Sequence, residues 1–121
     1  KLPSFLKQRR ENAKLFVELF KDHPDFIIQK DIDNSSWFGF SLIIKSKSNL
    51  KRKDVINKLQ EKKIDCRPIV SGNFTRNEVM KYFTYSIHSE LKNADYIDEH
   101  GLFVGNHHYD IVDAVDTLAA L

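Results

Sequence analysis

Apolar residues near the N-terminus recur at three- and four-residue steps: Leu2, Leu6, Ala13, Phe16 and Phe20, with Arg9 interrupting the stripe. That spacing collects them on one face, so a long first helix with one mostly apolar side is predicted. Pro3 suits its first turn, where no amide donor is needed. His23-Pro24 ends the pattern, because the residue before proline is pushed toward extended geometry and proline cannot continue the hydrogen-bond ladder. The period then changes to two. Phe26 to Ile32 and Trp37 to Lys45 are β-rich runs on either side of Asp33-Asn34-Ser35-Ser36, whose side chains favour turns, and together they predict a β-hairpin. In its second strand Phe38, Phe40, Leu42 and Ile44 fall on one face, and Trp37, Gly39, Ser41 and Ile43 on the other.

Ser48 or Asn49 is placed to cap a second helix with Leu50, Val55, Ile56 and Leu59 inward, ending at Glu61-Lys62-Lys63. Ile64 to Arg67 alternates as a short strand. Periodicity is then lost from Pro68 to Lys92, and a long irregular segment in a compact domain is more often functional than idle. Asn93 is placed to cap a short helix, Ala94 to His100, with Gly101 at the left-handed position that follows a helix end. Leu102-Phe103-Val104 reads as a buried strand, and Asp110 as the cap of a last helix with Ile111, Val115 and Leu118 inward. The order predicts an α+β fold, a small mostly antiparallel sheet with helices on one side.

A length of 121 residues fits one domain, and 41% apolar and 30% charged residues, with nine Phe and four Tyr, supply an ordinary core. The formal charge of only +2 gives little drive toward phosphate backbones or anionic lipid. No apolar run approaches the roughly 20 residues of a membrane span. The opening Lys-Leu-Pro-Ser-Phe-Leu lacks the apolar stretch of a signal peptide. A cytoplasmic protein with neither nucleic acid nor membrane as partner is expected. Cys66 is the lone cysteine, which excludes an internal disulfide and a cysteine zinc site and reads as a small buried filler. A first residue other than Met fits a processed chain or an excised domain.

Two segments carry candidate chemistry. Arg67 to Arg76 combines two guanidinium groups with a flexible Gly72-Asn73 corner, a mixture able to hold a diphosphate because arginine binds oxyanions bidentately and glycine lets amides come close. The alternative is a surface turn with solvated arginines. Gly105-Asn106-His107-His108 lies at a strand end, a common place for ligands. Its neighbouring histidines point to opposite faces, which makes them poor joint ligands, and no metal is expected. Trp37 and Phe38 either line a pocket or seal the hairpin, with core the ordinary role of strand aromatics. Lys45, Lys47, Lys51, Arg52 and Lys53 read as a solvated face. Glu78, Glu90 and Glu99 have no evident partner. No Ser-His-Asp order, P-loop or GxGxxG is present, so no catalytic residue is assigned within the chain.

Taken together, Leu2-Pro3 with Arg9-Arg10-Glu11-Asn12-Ala13, Ser36-Trp37-Phe38-Gly39-Phe40, Cys66-Arg67-Pro68, Gly72-Asn73-Phe74-Thr75-Arg76, Asn93-Ala94-Asp95 and Gly105-Asn106-His107-His108 resemble the C-terminal small domain of the DegT-type sugar aminotransferase and dehydratase family. These enzymes use pyridoxal or pyridoxamine phosphate on the aspartate-aminotransferase fold. Nearly the whole chain is covered. Within the family it looks closest to 3-dehydratases of nucleotide-linked 4-keto-6-deoxyhexoses in deoxysugar and O-antigen biosynthesis. The GDP-linked branch is favoured, since Asn77-Glu78-Val79 follows Arg76 where the CDP-linked branch usually has Gln-Pro. The resemblance implies loss of a sugar C3 hydroxyl, with pyridoxamine phosphate as electron sink. It also implies a homodimer, and a catalytic base on a large domain outside this chain, so that residues 1–121 alone bind no cofactor and do not turn over. It assigns Arg67, Asn73 and Arg76 to the nucleotide-sugar, Gly72 to the turn between them, and Asn106 and His107 to the cofactor cleft. A nucleotide-sugar aminotransferase and a free-standing nucleotide or RNA module are the alternatives.

Overall fold

The computed structural model describes all residues, 1–121. Helix α1, Leu2–Phe20, follows the predicted stripe, but it buries only Asn12, Ala13, Phe16 and Phe20. Its first turns overhang the domain, and Leu2 is 68% exposed. Strands β1 (Phe26–Ile28), β2 (Gly39–Ile44), β3 (Cys66–Arg67) and β4 (Gly101–Gly105) form one sheet in the order β1-β2-β4-β3, antiparallel throughout. Helices α2 (Arg52–Glu61), α3 (Lys92–His100) and α4 (Val112–Ala119) complete the chain. The core joins Phe16 and Phe20 of α1, Val55 and Leu59 of α2, and Val115 and Leu118 of α4 to Phe26, Phe40, Leu42, Ile44, Leu102 and Val104 of the sheet. Helix α3 buries no residue. The expected α+β architecture is therefore present.

The hairpin differs from its prediction. Register runs Phe26 to Ile44 and Ile28 to Leu42, and pairing then stops, so residues 29–38 make a long connection instead of a four-residue turn. Gln29 takes over the missing ladder with its side chain, donating from Nε2 to Gly39 O at 3.2 Å and accepting the Ser41 amide at 2.6 Å. Trp37 adopts a left-handed backbone, φ 50. The alternation therefore breaks before Gly39: Trp37 is buried beside Phe16 and Phe40, while Phe38, expected on the Phe40 face, is turned out and 77% exposed.

Helix starts also move. Helix α2 begins beyond Ser48 and Asn49 with no side-chain cap, and Ser48 instead accepts the Leu50 amide and donates to Asp25. Helix α3 starts at Lys92, so Asn93 lies inside it. Asp110 does accept the Val112 amide at 2.8 Å at the start of α4. Gly101 is not left-handed. It is extended (φ -89, ψ 147) and opens β4 directly. Glycine is needed there for proximity, since a Cβ would stand 2.4 Å from Ile97 O and 2.7 Å from Ile69 Cδ1. Cys66 is half-buried against the core, and burial pushes its thiol pKa up.

Candidate functional site

The fold separates the candidate residues into two places. Gly72, Asn73 and Arg76 form a latch on α3. Gly72 is left-handed, φ 66, and a Cβ there would meet Asp98 Oδ1 at 1.8 Å. That close approach lets the Asn73 amide donate to Asp98 Oδ1 at 2.9 Å. The Asn73 side chain donates to Asp95 Oδ1 at 2.8 Å and accepts the amide and hydroxyl of Thr75, which opens the short helical turn Phe74–Arg76. Arg76 then ion-pairs with Asp95 (2.8 Å), Asp98 (3.3 Å) and Glu99 (2.8 Å). Glu99 first, and then the neighbouring aspartates, raise the Arg76 pKa above its ordinary value. Glu99, which lacked an evident partner in the sequence, is thus engaged, and Glu90 and Glu78 pair with Lys92 and Lys81.

Arg67, Asn106 and His107 meet elsewhere, around a cleft of about 930 Å³ at the β3 side of the sheet. Arg67 is exposed on β3 and makes no ion pair with any carboxylate. His107 is exposed, and its ring stacks on Tyr109 with centroids 4.7 Å apart. His108 turns instead to Phe5 of α1, 4.3 Å between centroids. Arg9, Phe38 and Phe103 line the same cleft. Phe38 is therefore a cleft residue, whereas Trp37 belongs to the core.

Asn106 is buried at the back of this cleft with all four of its amide positions in use. It donates to Arg9 O (3.0 Å) and Trp37 O (2.9 Å), and accepts from Asn12 (3.0 Å) and the His107 amide (2.8 Å). Asn12 also donates to His107 O and Tyr109 O, and Gln8 donates to its carbonyl. Sequence reasoning missed Asn12, although an amide four residues before Phe16 inside an apolar stripe is a signal, because a buried amide must find partners. Arg9 was legible as a break in the stripe and Phe103 only as core.

A pyridoxal-type cofactor needs a phosphate anchor and a polar partner for its ring. Asn106 has no donor or acceptor to spare, and no buried side-chain N or O atom in the chain lacks a partner. The free cations Arg9 and Arg67 stand at the cleft wall. No group of three or more His, Cys, Asp or Glu side chains is arranged to hold a metal ion, and no helix is long and apolar enough to cross a membrane.

A four-stranded antiparallel sheet with helices supplying its core, and a cleft beside its β3 edge, make up an α+β domain. The model of the DegT/DnrJ/EryC1/StrS aminotransferase family matches residues 1–116, and the chain belongs to that family. It is 52% identical over 119 residues to the GDP-4-keto-6-deoxy-D-mannose 3-dehydratase of Yersinia pseudotuberculosis, covering 98% of this chain and 30% of that protein. The solved Escherichia coli GDP-4-keto-6-deoxy-D-mannose-3-dehydratase with bound hydrated PLP superposes with a TM-score of 0.93 at 49% identity, covering 99% of this chain and 31% of that one. A mutant GDP-4-keto-6-deoxymannose-3-dehydratase with bound GDP-perosamine gives a TM-score of 0.94 at 49% identity, covering 99% and 31%. The chain spans about 30% of the length of these curated relatives.

Proposed function

We propose that residues 1–121 are the C-terminal small domain of a cytoplasmic, homodimeric pyridoxamine-phosphate-dependent dehydratase that removes the C3 hydroxyl of a GDP-linked 4-keto-6-deoxyhexose. The observation that carries this reading is 52% identity to a 3-dehydratase maintained over 119 residues. The share of the relatives that the chain spans, about 30%, agrees with a single domain of such an enzyme. When bound between the lobes, the cofactor supplies the electron sink.

This chain's residues bind and orient. Arg67, unpaired and exposed on β3, meets the diphosphate of the nucleotide-sugar. Gly72, Asn73 and Arg76 hold the segment after β3 against α3, and so fix the approach to the substrate. Asn106 sets the path of the chain around His107, which faces the cofactor side of the cleft. The basic stretch gives little support to a nucleic-acid module: Lys45 is spent on His23 O and Arg52 on Gly101 O.

The test is to supply the full-length protein with pyridoxamine phosphate and GDP-4-keto-6-deoxymannose and to weigh the product. A sugar that has lost its C3 oxygen supports the reading. A sugar carrying nitrogen in place of the C4 carbonyl oxygen replaces it with aminotransfer, and no conversion of this substrate sinks it.

A further inference from the structure

Across the outer face of the sheet, aromatic and cationic side chains fall in a row. Phe103 on β4 pairs with Ser41 on one side and Arg67 on the other, and cross-strand partners project to the same face. Phe38, turned to this face by the left-handed Trp37, stacks on Phe103 with centroids 5.9 Å apart and planes 23° apart. Gly39 makes room for the Phe103 ring, since a Cβ there would lie 2.2 Å from Phe103 Cζ. The Arg9 guanidinium stands 6.0 Å above the Phe38 centroid.

A bulky residue held left-handed is unfavourable, because its Cβ crowds the neighbouring carbonyl. Here that conformation exposes the next aromatic ring instead of burying it. The backbone that carries the ring is also held. The Asn106 amide donates to Phe38 O at 3.3 Å and the Asn106 side chain donates to Trp37 O at 2.9 Å, so the backbone on both sides of the bend is pinned.

We infer that Phe38 and Phe103 form a stacking platform for the base of a nucleoside diphosphate, with Arg9 above the base and Arg67 toward the phosphates. The inference rests on the proposed function for the class of ligand, a nucleotide-linked sugar. A base between guanidinium and ring needs about 7 Å, two contact spacings of ~3.5 Å, so Arg9 has to retreat by only about 1 Å. Arginine and phenylalanine are both favourable stacking surfaces for a base. The acidic cleft residues Asp110 and Asp113 lie at the start of α4, while Lys63 and Asp65, of opposite charge, line the cleft just before Arg67.

The test is calorimetric titration of the full-length protein with GDP and, separately, with inorganic pyrophosphate. Phe38→Ala is expected to weaken GDP binding about tenfold or more and to leave pyrophosphate binding unchanged. Arg67→Ala is expected to weaken both. Unchanged GDP affinity in Phe38→Ala overturns the platform, and so does an equal loss for GDP and pyrophosphate, which would mark the ring as a support for the fold. Should Phe38→Ala fail to fold, Phe38→Trp decides: the added indole emission is quenched by GDP and not by pyrophosphate if the base stacks there, and by neither if it does not. Loss of the dehydration reading leaves this binding result standing, because no turnover enters it.

Discussion

Asn12 on α1 donates to Asn106 at the end of β4 across 3.0 Å and 94 positions of sequence, and this amide pair joins the first helix to the wall of the cleft. Asn106→Ala strips partners from Arg9 O, Trp37 O, Asn12 and the His107 amide at once. A loss of about 2 to 3 kcal/mol in urea unfolding is expected, since buried polar groups left unsatisfied cost about 1 to 3 kcal/mol each and some regain water. Asn12→Ala should be comparably harmful. The double variant should lose less than the sum, and strict additivity would show that the two amides are not energetically linked.

The latch on α3 should answer to substitution and to salt. With Arg76→Ala, amide exchange at Asn73, Thr75 and Asn77 is expected to quicken while exchange in β2 and β4 stays slow. The ion pairs are partly exposed, with the Arg76 side chain 42% accessible, so raising ionic strength should move the wild-type exchange in the same direction. Equal exchange in variant and wild type would show that the Gly72 turn holds the segment without the arginine.

Asp31 carries a pH signature. The Ser35 amide, and then the Trp37 indole, hold its carboxyl below the ordinary value of 3.8. A carboxyl depressed in the folded state stabilises that state fully above the unfolded value, and the contribution fades as pH falls through the lowered one. The connection over residues 31–37 is therefore expected to hold above pH 3.8 and to loosen below it. Trp37 is the one tryptophan of the chain, so its emission reports the change directly. Asp31→Ala should show the loosened emission at neutral pH, and an unaltered spectrum there would remove Asp31 from the account.

Gly39→Ala is expected to cost about 1 to 3 kcal/mol, the usual range for overpacking. The new methyl would stand 2.2 Å from Phe103 Cζ and 2.5 Å from Val104 O. Adding Phe103→Leu should recover only part of the loss, since the backbone carbonyl cannot leave. Full recovery would show that the ring alone makes the position glycine-only.

Local rules reached as far as periodicity does. The α1 stripe and the alternation of Phe40, Leu42 and Ile44 are periodic, and the strand residues ended in the core together with the Ala13, Phe16 and Phe20 half of the stripe. Phe38 was misplaced because one left-handed residue resets a period of two, and what holds Trp37 there is packing against Phe16, distant in sequence. Arg76 was legible as a cation in an irregular segment. Its carboxylates were not, because they lie on α3 about twenty residues away and sequence spacing across a loop does not encode proximity. Arg67 and His107 line one cleft without being neighbours: the antiparallel β3–β4 register sets Arg67 opposite Phe103, four positions before His107, and no periodicity in the sequence shows that pairing.

The sheet ends laterally in a three-residue strand on one side and a two-residue strand on the other, and the Gln29 amide occupies backbone groups of β2 beyond the end of β1. Little unpaired backbone is left for a foreign strand to join. A fold bounded in this way resists aggregation through the borders of its sheet.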